Sequence, residues 1–139
     1  MKKVWIAVVV FLCLATVGGY CVVDHIFPKA GPISCPDTES VVSIVLSQKD
    51  DTFAPVAIFE YEWILQEIRE AEPTRIMSVN DYPAVKDYYV IDIASTARSY
   101  RYFVYVDDSQ VYVELPYEGI YKVNQQFYGR IVSYATILL

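Results

Sequence analysis

The residues of this chain whose types could do chemistry are one histidine, His25, three cysteines and a scatter of carboxylates. His25 follows a long apolar run and stands among prolines. It therefore lacks the rigid neighbour that a Ser-His-Asp or Cys-His pair needs to pass a proton. A zinc site takes three or four Cys, His, Asp or Glu ligands, and outside the apolar run the only soft candidates are His25 and Cys35. No metal and no cofactor are expected. Two carboxylates can act as acid and base when their surroundings set their pKa values apart. Asp92 and Glu114 are the pair that strand alternation could bring to one sheet face. Each alternates with apolar neighbours as a solvent-facing strand residue does, so a carboxylate-dependent hydrolase is the weakest reading, and no enzyme is expected. The glycines, at 18, 19, 31, 119 and 129, form no phosphate-cradling loop.

Tyrosine is the unusual residue. Eleven of the thirteen lie between positions 82 and 134. Alternation along Ser99 to Val106 puts Tyr100 and Tyr102 on one face and Arg101, Phe103 and Tyr105 on the other, so the tyrosines cannot all be core. Rings beside Arg suit a recognition face for protein or sugar. The alternative is that tyrosine fits a half-buried pleat. Both readings stay open. If a site exists, it is expected at Arg75, Asn80, Asp81, Tyr102, Tyr112 and Tyr117, which combine hydrogen-bonding groups and rings near one end of the predicted sheet.

The net charge is −6. Setting Lys2 and Lys3 apart lowers the eleven Lys and Arg to nine against seventeen Asp and Glu, a balance of −8 for residues 24–139. That sign repels phosphate backbones, which excludes nucleic acid and disfavours an anionic lipid surface as partner. Residues 4–23, VWIAVVVFLCLATVGGYCVV, carry no charge. Twenty helical residues cover about 30 Å, enough to span a bilayer. Lys2 and Lys3 on one side and Asp24 on the other place the N-terminus inside and the rest outside. The expectation is a single-pass cell-membrane protein. A cleaved secretory signal, with cleavage near Val17-Gly18-Gly19, is the alternative. Lipidation at Cys21 is disfavoured by the bulky Tyr20 before it. Cys13, Cys21 and Cys35 make no disulfide framework.

Residues 24–39, DHIFPKAGPISCPDTE, have neither helical nor strand period and read as a proline-rich tether holding a folded unit some tens of Å from the bilayer. The domain is expected over 40–139. Val41 to Ser47 predicts a strand, followed by the polar stretch Gln48 to Thr52 and a returning strand at Pro55 to Phe59. Tyr61, Ile64, Leu65, Ile68 and Ala71 share a helical face that Pro73 ends. Thr74 to Val79 predicts a short strand, and Asn80 to Pro83 a turn. Tyr88 to Ser95, Ser99 to Val106 and Gln110 to Leu115 predict three more strands, the last two joined by a three-residue loop at Asp107-Asp108-Ser109. Tyr117 to Val123 ends the sheet. Asn124 is placed to cap a last helix with Phe127, Ile131, Ala135 and Leu138 on one face. The fold class is α+β, an antiparallel sheet of about four to five strands with two helices on one face.

Two stretches carry a family resemblance. AEPTRIMSVNDYP at 71–83 and YVELPYEGIY at 112–121, with Tyr102-Phe103-Val104-Tyr105 between them, resemble the DUF5301 family of small exported domains of Gram-positive bacteria, over roughly residues 41–134. The resemblance implies a protein carried to the cell surface by a lipoprotein signal or a membrane segment, and it implies no reaction, ligand or catalytic residue. In the motif P-Y-x-G-I-Y, Gly119 is read as supplying a backbone angle barred to other residues. The expected role is a non-catalytic protein-interaction module for an envelope protein, with a wall-glycan-binding module as the alternative.

Overall fold

A computed structural model describes residues 2–49 and 52–136. Asp50 and Asp51 of the expected polar stretch, and Leu138 of the last helical face, lie outside the described residues. The apolar run forms helix α1 (Lys2–Ile26), in which an 18-residue stretch of Trp5–Ile26 has a mean hydropathy of 2.5 and no residue buried against the protein. It is long and apolar enough to cross a membrane or to act as a signal.

The rest is β1 (Val41–Gln48), β2 (Thr52–Pro55), α2 (Tyr61–Arg69), β3 (Glu72–Pro73), β4 (Tyr89–Ser95), β5 (Ser99–Asp107), β6 (Gln110–Leu115), β7 (Gly119–Val123) and α3 (Gln125–Thr136). The strands form one antiparallel sheet in the order β2-β1-β4-β5-β6-β7-β3. Six are full strands and β3 is a two-residue edge, slightly more than the four or five expected. Alternation gives the sheet two faces. One carries Ile44, Leu46, Ile91, Ile93, Tyr102, Val104, Val113 and Tyr121, packed with Ile64, Leu65 and Ile68 of α2 and Phe127 and Ile131 of α3. Both helices thus cover one face, as their apolar spacing requires. The Asn124 side chain accepts from the Phe127 N–H at 2.7 Å, capping α3.

Several local elements differ from expectation, each for a physical reason. The returning strand lies earlier, at β2, and Ile58–Glu60 is a single 3-10 turn leading into α2. Thr74 to Val79 is not a strand. Thr74 gives both its N–H and its hydroxyl to the Ile120 carbonyl, and the chain then leaves the sheet edge to cross the helix-free face. Asp107 pairs with Gln110, so the hairpin loop is the two residues Asp108 and Ser109. Both have left-handed backbone, with φ of 45° and 64°, which matches the twist of the flanking strands.

The proline-rich stretch is extended, but it lies on the domain as a strap. The Ala30 N–H donates to the Thr74 carbonyl at 2.9 Å, the Tyr102 hydroxyl to the Ser34 carbonyl at 2.6 Å, and Arg69 to the Pro36 carbonyl at 2.6 Å. Ile33 is part of the main core, and Cys35 packs against it. The folded unit therefore takes in residues before Ser40, because side chains of α2 and β5 need the strap's carbonyls as acceptors. Gly119 serves this arrangement through space, not through its backbone angle. Its φ is not positive, and a Cβ built there would sit 2.5 Å from the Ala30 Cβ. The left-handed residue of the motif is Tyr117, with φ 64°. It follows Pro116 in a turn closed by the Glu118 N–H on the Leu115 carbonyl at 3.0 Å, the residue order of a type II turn.

Candidate functional site

The face opposite the helices carries a second, smaller apolar cluster of Tyr88, Val90, Phe103 and Tyr105, with Val85 and Tyr112 packed on it. The segment after Thr74 crosses this face and is pinned from below by Glu114. Glu114 is only 4% exposed, and both its oxygens are engaged: Ser78 donates its hydroxyl at 2.7 Å, and Tyr105 donates its own at 3.1 Å. A buried carboxylate is tolerated when it is hydrogen-bonded this way. Burial, and next the Glu114 charge, push the Tyr105 hydroxyl well above the usual tyrosine range, so it stays a donor.

Between the crossing segment and the sheet lies a groove of about 200 Å³. Ile76, Met77, Val79, Asn80 and Val85 form its outer wall, and Tyr105, Asp107, Tyr112, Glu114 and Ile120 its floor and ends. The lining is apolar with a few polar groups, the usual make-up of a binding groove. A second hollow of about 330 Å³ lies between the end of α2 and the β3 edge, lined by Glu67, Glu70, Glu72, Gln110, Lys122 and Asn124. There Glu67 already accepts from Asn124 at 2.6 Å. Among the described residues no three His, Cys, Asp or Glu side chains converge as a metal site would require.

The six expected site residues divide between the two faces. Asn80 and Tyr112 both line the groove, and Tyr112 leans on Tyr105 with ring centroids 5.8 Å apart. Asp81, beside Asn80, accepts from the Tyr117 hydroxyl at 2.6 Å. That hydrogen bond is the main reason the Tyr117 hydroxyl titrates above the usual range, and it ties the crossing segment to the β6–β7 turn. Arg75 is engaged elsewhere, with Asp24 in the last turn of α1 and with the Phe27 carbonyl. Tyr102 does not belong to a recognition face. Its ring is wholly buried under the helices, stacked on Tyr100 at 6.2 Å, and its hydroxyl is spent on the strap. Alternation divided the tyrosines correctly between faces but gave no sign of which face the helices cover.

Asp92 and Glu114 do not share a cavity. Asp92 holds Arg101 through two contacts, at 2.7 and 3.0 Å, on the solvent side, while β5 separates its strand from that of Glu114. Ser78 and the apolar wall Ile76, Met77 and Val79 were not among the expected site residues, and Glu114 was weighed only as half of a catalytic carboxylate pair. The available signal was three large apolar side chains within four residues of a turn-rich stretch, where polar residues are the rule.

No curated protein sequence matches the chain significantly. An NMR structure of a protein from Ruminococcus gnavus is similar in fold, with a TM-score of 0.59 and 27% identity. The match covers 70% of this chain and 99% of that one. The DUF5301 family model, described as Domain of unknown function (DUF5300), matches residues 29–122. That span begins in the strap and includes every strand from β1 to β6, the crossing segment and most of β7, and over it the chain belongs to the DUF5301 family.

Proposed function

We propose that this protein is a non-catalytic interaction module at the outer face of a bacterial membrane, held there by α1 and receiving a segment of another envelope protein in the groove beneath residues 76–85. The observation that carries this reading is the groove itself. It is a largely apolar hollow on the helix-free face, and it contains Asn80, Asp107 and Tyr112 as orienting groups. An apolar hollow with a few polar groups is the usual make-up of a binding site. This orientation is supported by Lys2 and Lys3, which stand before the apolar run of α1, and by Asp24 after it. Lightly crosslinked intact cells should yield one stoichiometric partner with the wild-type chain and none with Asn80→Ala/Tyr112→Ala. The same partner recovered with both would end this reading.

A wall-glycan ligand is the second reading, favoured by the exposed rings of Tyr82 and Tyr117 beside the groove-wall segment. Retention on purified wall material, released by soluble glycan fragments, would support it. Passage straight through would remove it.

A further inference from the structure

We propose that the domain rests on the bilayer that α1 spans, with Phe27, Ile76, Met77 and Val79 dipping into its interfacial region. The tether expected from composition would have held it tens of Å away. This inference rests on α1 being retained as an anchor.

The chain leaves too little length for a spacer. Helix α1 ends at Ile26, and the Ala30 N–H is already bonded to Thr74 of the domain. Four residue steps reach at most about 14 Å when fully extended. The link is tighter still, because Asp24, inside the last turn of α1, pairs with Arg75, which also donates to the Phe27 carbonyl. The 20 uncharged residues 4–23 rise about 30 Å, the thickness of a hydrocarbon core. Asp24 therefore sits at the headgroup level, and Arg75 beside it.

The residues that follow Arg75 include three large apolar side chains left uncovered. Ile76, Met77 and Val79 are 51%, 68% and 65% exposed, and Phe27 is 60% exposed. Single exposed apolar side chains are ordinary, but four of them clustered at the exit of a membrane-length helix form a patch that water does not favour. With a balance of −8 over residues 24–139, the contact depends on apolar insertion and not on attraction to anionic lipid. It is accordingly insensitive to salt.

The test uses the full-length chain with Cys13, Cys21 and Cys35 replaced by alanine, reconstituted in neutral phosphatidylcholine vesicles. Met77→Cys or Val79→Cys carries an environment-sensitive fluorophore. Ser133→Cys, exposed on α3 and near the far sheet edge, is the control. Flotation reports the anchor independently. The expected result is a blue-shifted emission at 77 and 79, quenched at least twofold by lipids carrying a quencher at a shallow acyl position. The quenching should be unchanged by 0.5 M salt or by dilution of protein in lipid, with none at 133. Floating vesicles whose labels at 77 and 79 quench no more than the label at 133 would overturn the inference while sparing the anchor. A blue shift without lipid quenching would also overturn it, by assigning the patch to a protein surface. Failure to float would overturn anchor and inference together.

Discussion

Replacing Tyr102 by phenylalanine removes one oxygen from the interior and nothing else. Its ring is fully buried, and its hydroxyl donates to the Ser34 carbonyl at 2.6 Å. The substitution loses a net hydrogen bond and leaves a half-buried carbonyl without its donor, together about 1.5 kcal/mol. For a folded unit of this size that is a fall in Tm of about 6–12 °C. The loss falls on the strap, so a second readout follows. Cys35, on the strap, packs against α2, and burial raises its thiol pKa. A loosened strap exposes it, and its reaction with a thiol reagent should quicken several-fold at neutral pH. Tyr112→Phe serves as the control on the other face and should shift the Tm by less than 2 °C, roughly the scatter of surface substitutions. The assay is near-ultraviolet circular dichroism of the full chain in detergent micelles, with thiol kinetics on the same samples. A Tyr102→Phe protein that melts with the wild type and keeps Cys35 equally protected would refute the assignment of Tyr102 to the strap.

Other substitutions and pH test the same contacts. Gly119→Ala places a methyl 2.5 Å from the Ala30 Cβ and should cost about 1–3 kcal/mol; Ala30→Gly in the same chain should recover most of it, read as a restored Tm. Glu114→Ala strips the acceptor from Ser78 and Tyr105 and should cost about 2–4 kcal/mol. Limited proteolysis should then cut the freed 76–85 segment before any other part of the domain. Burial raises the hydroxyl pKa of Tyr102, Tyr105, Tyr121 and Tyr128 above the unfolded value. The neutral hydroxyls are therefore favoured by folding, their contribution is complete below about pH 10, and it is lost as pH rises beyond that. Tyrosinate absorbance near 295 nm should lag for these side chains and then appear together with unfolding. A smooth titration centred near pH 10 would contradict their burial.

What the residues disclosed in advance depended on whether a period was present. β4, β5 and β6 alternate cleanly, and α2 repeats Ile64, Leu65 and Ile68 on one face, so their existence and the two-layer arrangement were legible. The strap has no period because it is neither helix nor strand. Its place on the domain is decided by acceptors for Tyr102 and Arg69 that lie far along the chain. β3 is two residues long, since Pro73 has no N–H to extend a ladder, and no local pattern marks so short an edge. Of the residues expected together, the fold brings Asn80 and Tyr112 to one groove and buries Tyr102 under the helices; alternation assigns a face without saying which face the helices take. Gly119 was right in importance and wrong in cause: the left-handed backbone belongs to Tyr117, and the glycine is needed for the approach of Ala30.

The claim that the helix-free face holds the partner site is tested most directly by a photoreactive residue placed in the full-length chain on intact cells, at Asn80 or Tyr112 in the groove and at Gln66 on the exposed side of α2. One discrete adduct of the same mass from both groove positions, absent from Gln66, is the result predicted. Equal adducts from all three positions, or none from the groove while Gln66 yields one, would contradict it.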